Sequence, residues 1–211
     1  MNKRKNITHS LQKYLPDVYI DYIVSLMFSE NLQFKITKPR KTKQGDYRHP
    51  YNGKPHRISI NSNLNPYAFL ITTIHEFAHM NTYIQYGNKV KAHGKEWKDE
   101  FKKLLTPVLQ QKELPLEIEM ALWRSLHNLK ASSCTDPALF RALKKYDKIP
   151  ESTVLLEELP NLSTFRLGKK TFIREKLRRS RYLCTEVHTR KHYLVSRLAE
   201  VEPINSTNNG E

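Results

Sequence analysis

The sequence predicts an α+β fold: helices around a short sheet in the first half, then a small antiparallel β module. Three observations carry this. Phe34-Lys35-Ile36-Thr37 and His56-Arg57-Ile58-Ser59-Ile60 alternate apolar and polar side chains, the period of a half-buried strand. Between Asn65 and Gly87, the apolar residues Phe69, Leu70, Ile74, Phe77, Ala78 and Ile84 recur at helical spacing. From Val154 onward, helical spacing gives way to short β-type runs.

Taken in order, Leu11 to Asn31 is expected to form a first helix, with Leu15, Val18, Tyr22 and Leu26 facing inward. Phe34–Thr37 follows as a strand, Lys38 to Lys43 is strongly basic, and Gly45-Asp46 reads as a turn. Tyr47 to Tyr51 returns as a second strand, Asn52-Gly53 is a hairpin-type turn, and His56–Ile60 is a third strand. Asn65-Pro66 opens a helix, with Asn as N-cap and Pro at the first helical position, and Gly87 closes it. Lys95 to Leu105 is a further helix, with Trp97, Phe101, Leu104 and Leu105 apolar, and Pro107 is expected to interrupt it. Leu116 to Leu129 and a segment from Asp136-Pro137 through Tyr146 read as two more helices. Val154 to Leu159, Thr164 to Leu167, Lys170 to Ile173, Arg181 to Val187 and His192 to Leu198 read as short strands of one sheet. These elements divide the chain into a core (1–110), a helical extension (111–150), a small β module (151–204) and a polar tail (205–211).

A chain of 211 residues can bury one good core, with room for a second small module. The two cysteines, Cys134 and Cys184, offer no disulfide framework and suit a reducing cytosol. The first 16 residues lack the continuous apolar core of a secretion signal, and no run of about 18 apolar residues predicts a membrane span. The expected location is cytoplasmic, with association to the nucleoid open to it. The expected state is a monomer.

His75-Glu76-Phe77-Ala78-His79 is an H-E-x-x-H sequence inside the predicted Asn65–Gly87 helix. Residues four apart share a helix face, so His75 and His79 can meet one metal ion. Zinc suits two imidazoles, at Zn–N distances of about 2.0–2.1 Å. Glu76, beside the first ligand, can take a proton from a water that the metal holds. Catalytic zinc sites use three protein ligands and keep a fourth position open. His93 is the favoured third ligand. It follows a short polar connection, and a turn after Gly87 lets the next helix fold back and present it. Glu96 and Glu100 are its rivals.

With His93-Gly94-Lys95-Glu96-Trp97 following the H-E-x-x-H helix by a little over a dozen residues, the chain resembles the SprT/Spartan family of metalloproteases. That family pairs such a helix with an H-G-x-x-[FW] segment supplying the third histidine. Arg40 to Tyr47 also looks like the family's hairpin ahead of the active-site helix. The resemblance runs from roughly Leu11 to Leu105. It implies a small zincin-type core, one Zn²⁺ per chain on His75, His79 and His93, and Glu76 as the catalytic residue of a zinc-dependent endopeptidase. It implies DNA association as well, because eukaryotic members cleave proteins crosslinked to DNA, and bacterial members often carry a link to transcription. Many members carry a C-terminal zinc ribbon with two Cys pairs; here Cys134 and Cys184 cannot form a Cys₄ site. Cys184, His188 and His192 recur every four residues, but three ligands rarely converge from a strand and a turn, so no second zinc is expected.

The formal net charge is +15 and unevenly placed. Residues 1–110 carry 18 Lys+Arg against 8 Asp+Glu, residues 111–160 carry 7 against 8, and residues 161–211 carry 11 against 5. Basic surface attracts polyanions through counterion release, regardless of sequence. The candidate nucleic-acid residues are Lys41, Lys43 and Arg48 ahead of the metal helix, and Arg178, Arg179, Arg181 and Tyr182 in the β module. There, Arg on phosphates and Tyr on a base suit single strands. The expected partners are thus non-specific DNA, single strands included, and a protein substrate. The alternative is a nucleic-acid-binding or transcription-associated protein whose zinc is structural and whose proteolysis is insignificant.

Overall fold

A computed structural model of the chain describes residues 2–40, 42–127, 136–147 and 152–204. It has the α+β architecture expected, in two compact units, Met1–Asp147 and Lys148–Glu211. Among the described residues, no helix is long and apolar enough to cross a membrane.

The first unit opens with α1 (Asn2–Leu11) and α2 (Ile20–Met27), where one helix from Leu11 to Asn31 is expected. Pro16 is the reason for the break. It has no N–H to continue a helix, sits in extended conformation (φ −61, ψ 136), and the chain restarts through a short 3₁₀ turn at Asp17–Tyr19. Three strands follow: β1 (Leu32–Thr37), β2 (Gly45–Arg48) and β3 (His56–Asn61). The sheet order is β1-β3-β2, with β1 parallel and β2 antiparallel to the central β3. Gly45 and Asp46 lie within β2, opposite Ile60 and Ser59, rather than in a turn. The ladder continues one step past them, where the Asn61 N–H donates to the Gln44 carbonyl at 2.9 Å. That pairing is between residues distant in sequence, so a local turn signature cannot reveal it.

α3 (Pro66–Tyr86) packs on β2 and β3 and is capped as its sequence demands. The Asn65 side chain accepts from the N–H groups of Tyr67 (3.1 Å) and Ala68 (2.9 Å). Gly87, at φ +60, turns the chain out, and its N–H reaches the Tyr83 carbonyl at 2.7 Å. Next, α4 (Lys95–Gln110) runs through Pro107 instead of stopping there. Leu104, Leu105, Val108 and Leu109, on both sides of the proline, are all buried, and their packing outweighs the one lost backbone bond. α5 (Leu116–His127) and α6 (Pro137–Lys144) pack on each other. Ile118, Leu122, Leu126 and Leu139 join Ile23, Ile58, Phe69 and Trp97 in a single apolar core.

The second unit is an antiparallel sheet of six strands in the order β4-β9-β5-β6-β7-β8. These are β4 (Val154–Leu155), β5 (Thr164–Leu167), β6 (Lys170–Arg178), β7 (Arg181–Glu186), β8 (His192–Ser196) and β9 (Glu200–Ile204). Its core holds Leu156, Phe165, Phe172, Tyr182, Cys184 and Val201. β9 is absent from the expected strands: Glu200, Glu202 and Pro203 hide it, and only its pairing to β4 and β5 identifies it. The polar tail from Asn205 lies outside the described residues.

Asn65 has a second task. Its Nδ2 donates to the Leu143 carbonyl (2.9 Å) and to Asp147 (2.6 Å), tying the start of α3 to the end of α6. Asn65→Ala removes the cap and both hydrogen bonds that tie α3 to the end of α6. We expect a loss of about 2–3 kcal/mol, read as a lower urea midpoint with an unchanged slope.

Candidate metal centre

His75 and His79 stand one turn apart on α3, on the face that meets α4. His93 comes from the turn just ahead of α4. The Gly94 N–H closes that turn on the Lys91 carbonyl at 2.9 Å, and Gly94 is the N-cap residue of α4. The three side chains converge. His79 Nε2 lies 3.1 Å from His75 Nε2 and 3.1 Å from His93 Nε2, and the third edge, His93 to His75, is 3.3 Å.

This triangle fits a metal. Three nitrogens at about 2.0–2.1 Å from a tetrahedral zinc lie about 3.3–3.4 Å apart, close to the observed edges. All three rings present Nε2 to one point, which makes a closed face of three donors. Burial holds the rings neutral, with their lone pairs free to bind. His75 is pushed down to about 3 and His79 to about 4, by burial first and by neighbouring imidazoles second; burial lowers His93 as well. Among the described residues, this is the group of His, Cys, Asp and Glu side chains arranged to hold a metal ion.

Trp97 is the floor of the site. It is fully buried, and its ring centroid lies 4.6 Å from that of His75, 5.3 Å from His79 and 4.8 Å from His93. Phe101 stacks on its far side at 5.1 Å. The rival ligand Glu100 is otherwise engaged. Its buried carboxylate accepts from Asn81 (3.2 Å) and Gln85 (2.9 Å) of α3, so it clamps α4 to α3 instead of joining the histidines. Glu96 is likewise outside the cluster of converging donors.

Glu76 follows His75 on α3, at the seam between α3 and β2, and is only 6% exposed. Its carboxyl is pushed up to about 7, first by burial and then by the negative charge of Asp46. The Tyr47 backbone N–H donates to it and acts the other way. A divalent cation on the histidines would also draw the value down. Gly45 approaches the same carboxylate so closely that a Cβ there would clash with the Glu76 side chain where it now sits. The sequence gives no local sign of Gly45 or the Tyr47 N–H as neighbours of Glu76, because they reach it only through sheet and helix packing.

The candidate nucleic-acid residues fall into two groups, one in each unit. Lys43, just ahead of β2, and Arg48, at its end, flank Asp46, with Nζ at 2.8 Å and Nε at 2.9 Å from its carboxylate. Lys41 lies outside the described residues. Arg178, Arg179 and Arg181 are exposed at the β6–β7 hairpin of the second unit. Tyr182 departs from the expectation. It is 7% exposed, part of the β core, and the Arg174 guanidinium covers its ring at 3.9 Å, so no ring face is open to a base. Strand alternation explains this, since the neighbour of an outward Arg181 must point inward. Cys184 is buried in the same core and its thiol is pushed up to about 11 by burial, while His188 and His192 are exposed.

His93→Ala opens the triangle to two donors. Purified protein is expected to fall from about one zinc per chain to near zero by atomic emission, because a two-histidine site lacks the third ligand that such centres need. Full zinc content in this variant defeats the assignment.

No curated protein and no solved structure matches the chain. A family model, described as the SprT-like family, matches residues 19–118. That segment contains β1–β3, α3, α4, the three converging histidines and Glu76. Over these residues, a little under half of its length, the chain is similar to the SprT-like family.

Proposed function

We propose that the chain is a zinc-dependent endopeptidase that acts on DNA-associated proteins. The observation that carries the reading is the triangle of His75, His79 and His93 nitrogens, with Glu76 next to the first of them. Zinc bound there supplies a Lewis acid for the carbonyl oxygen and acidifies a water. His75 and His79 on one helix, and His93 ahead of the next, would hold the ion through neutral rings. Glu76 accepts a proton from the water as its oxygen attacks the peptide carbonyl carbon. As the C–N bond breaks, Glu76 returns that proton to the departing amine nitrogen. β2 is the outer strand of its sheet and lies beside Glu76. Its free edge suits an extended substrate segment, held by main-chain hydrogen bonds.

Support for DNA association comes from charge. Lys176, Arg178, Arg179 and Arg181 are exposed within one hairpin that contains no acidic residue between them. Residues 35–57 carry eight basic side chains and one acidic one near the metal centre. Such surfaces bind phosphates non-specifically.

Glu76→Gln keeps the site's shape and removes its proton acceptor. It is expected to retain zinc and to cleave a DNA-binding protein on the order of 10³-fold more slowly than the parent. Undiminished cleavage refutes the role of Glu76. DNA binding with no cleavage by the parent protein at all points instead to a zinc-stabilised nucleic-acid-binding protein.

Binding of a fluorescent single-stranded oligonucleotide should weaken with salt. Four hairpin cations on four phosphates give a loss of about 50-fold between 50 and 200 mM salt. Replacing Arg178, Arg179 and Arg181 together by Gln should flatten that slope by about 2. Binding that ignores salt, or is absent, removes the DNA half of the proposal.

A further inference from the structure

We propose that Gly45 is a positioning residue for Glu76. It leaves the one space in which the carboxylate can sit, and a strap tied down by Arg40 and Asn61 keeps that space in place. A Cβ built on Gly45 falls 2.3 Å from Glu76 Oε1, 2.7 Å from Cγ and 2.8 Å from Cδ, all inside the 3.0 Å that real Cβ contacts respect. Backbone freedom is not what the position needs. Gly53, Gly87 and Gly168 are the described glycines with positive φ, and Gly45 is an ordinary strand residue paired with Ile60. Only the missing side chain distinguishes it.

The carboxylate is therefore bracketed from β2 twice. Gly45 bounds it sterically, and the Tyr47 N–H, two residues along the same strand, donates to it. The strap fixes this bracket. Asn61, 3% exposed, donates from Nδ2 to the carbonyls of Lys43 (2.9 Å) and Arg40 (3.2 Å). Its Oδ1 accepts from Arg40 Nε at 2.8 Å, and its backbone N–H donates to Gln44 at 2.9 Å. The Arg40 guanidinium then bonds the Ser59 hydroxyl (2.9 Å) and carbonyl (3.1 Å). The residues leading into Gly45 are thus bolted to β3, which cannot yield when something larger is placed at position 45. Glu76 must yield instead.

The consequence is specific. An added methyl at position 45 forces the carboxylate out of its seat, while the histidines, which are not among the atoms nearest that methyl, stay where they are. A displacement of about 1 Å at a reacting group costs on the order of 10²-fold in rate. The kinetic part rests on the peptidase reading above; the steric part does not.

The test is a double-mutant cycle between positions 45 and 76, read in two ways. First, thermal unfolding of the zinc-free proteins: Gly45→Ala should lower Tm by about 4 °C when Glu76 is present and by nothing measurable in a Glu76→Ala background, where the space is vacant. Equal losses in the two backgrounds overturn the proposal, whatever the protein catalyses. Second, cleavage by the zinc-loaded proteins: Gly45→Ala should keep zinc and KM while kcat falls on the order of 10²-fold. An unchanged kcat for Gly45→Ala in an active parent overturns Gly45's role and leaves the peptidase reading intact. A parent without peptidase activity defeats that reading, and the unfolding cycle still decides the contact.

Discussion

Three imidazole nitrogens held 3.1–3.3 Å apart are the constraint on which the first unit depends. Two of them come with a helix turn and need no further arrangement. The third lies on a different element, so the gap between α3 and α4 has to be fixed before His93 can arrive. Two contacts fix it. Trp97 and Phe101 fill the space under the histidines with stacked rings, and Glu100 binds Asn81 and Gln85 across the helix pair. Tyr22 adds a third, donating its hydroxyl to the Leu104 carbonyl at 2.6 Å and so locating α4 against α2. Burial keeps these rings neutral and so removes the repulsion that charged imidazoles would bring.

α3 serves two surfaces at once. One face carries His75 and His79 toward α4, and the residue between these faces in sequence, Glu76, turns toward the sheet. A helix that is buried on several sides has little amphipathic contrast, and α3 is indeed lined almost throughout by buried residues from Ala68 to Ala78. This explains how a carboxylate and two imidazoles can be neighbours in sequence and still stand in different surroundings. The histidines sit over an aromatic floor, and the glutamate sits against strand backbone.

What could be read from the sequence follows from how local each feature is. The caps of α3 at Asn65 and Gly87, the i, i+4 histidines and the alternation of β3 are properties of adjacent residues, and the structure has them as expected. His93 was legible because the turn and the aromatic residues after it narrowed its position. Features set by distant pairing were not legible. Gly45-Asp46 has the composition of a turn yet lies in a strand, because Ile60 and Ser59 pair with it. Pro107 should end a helix, but the buried leucines around it hold the helix together. Glu100 looks like a ligand by type, and only the placement of Asn81 and Gln85 shows it to be a clamp. Tyr182 beside an arginine run looks like a stacking platform, and strand alternation turns it inward instead.

Formal charge also misplaces the positive field of this molecule. The segment 35–57 is dense in Lys and Arg, but Lys43 and Arg48 converge on Asp46, which leaves that trio with one net positive charge instead of two. Arg40 points its guanidinium into Ser59 and Asn61, where its donors are already used. By contrast, Lys176, Arg178, Arg179 and Arg181 stand exposed in a single hairpin without an acid among them. Exposed pairs such as those of Asp46 contribute little to stability and are screened by salt. Their effect is to localise charge rather than to hold the fold. A polyanion therefore meets a stronger local attraction at the β6–β7 hairpin than the residue counts of the two halves suggest. Three of the basic residues in 35–57, Arg40, Lys43 and Arg48, are committed to shaping β2 and the strap that leads into it.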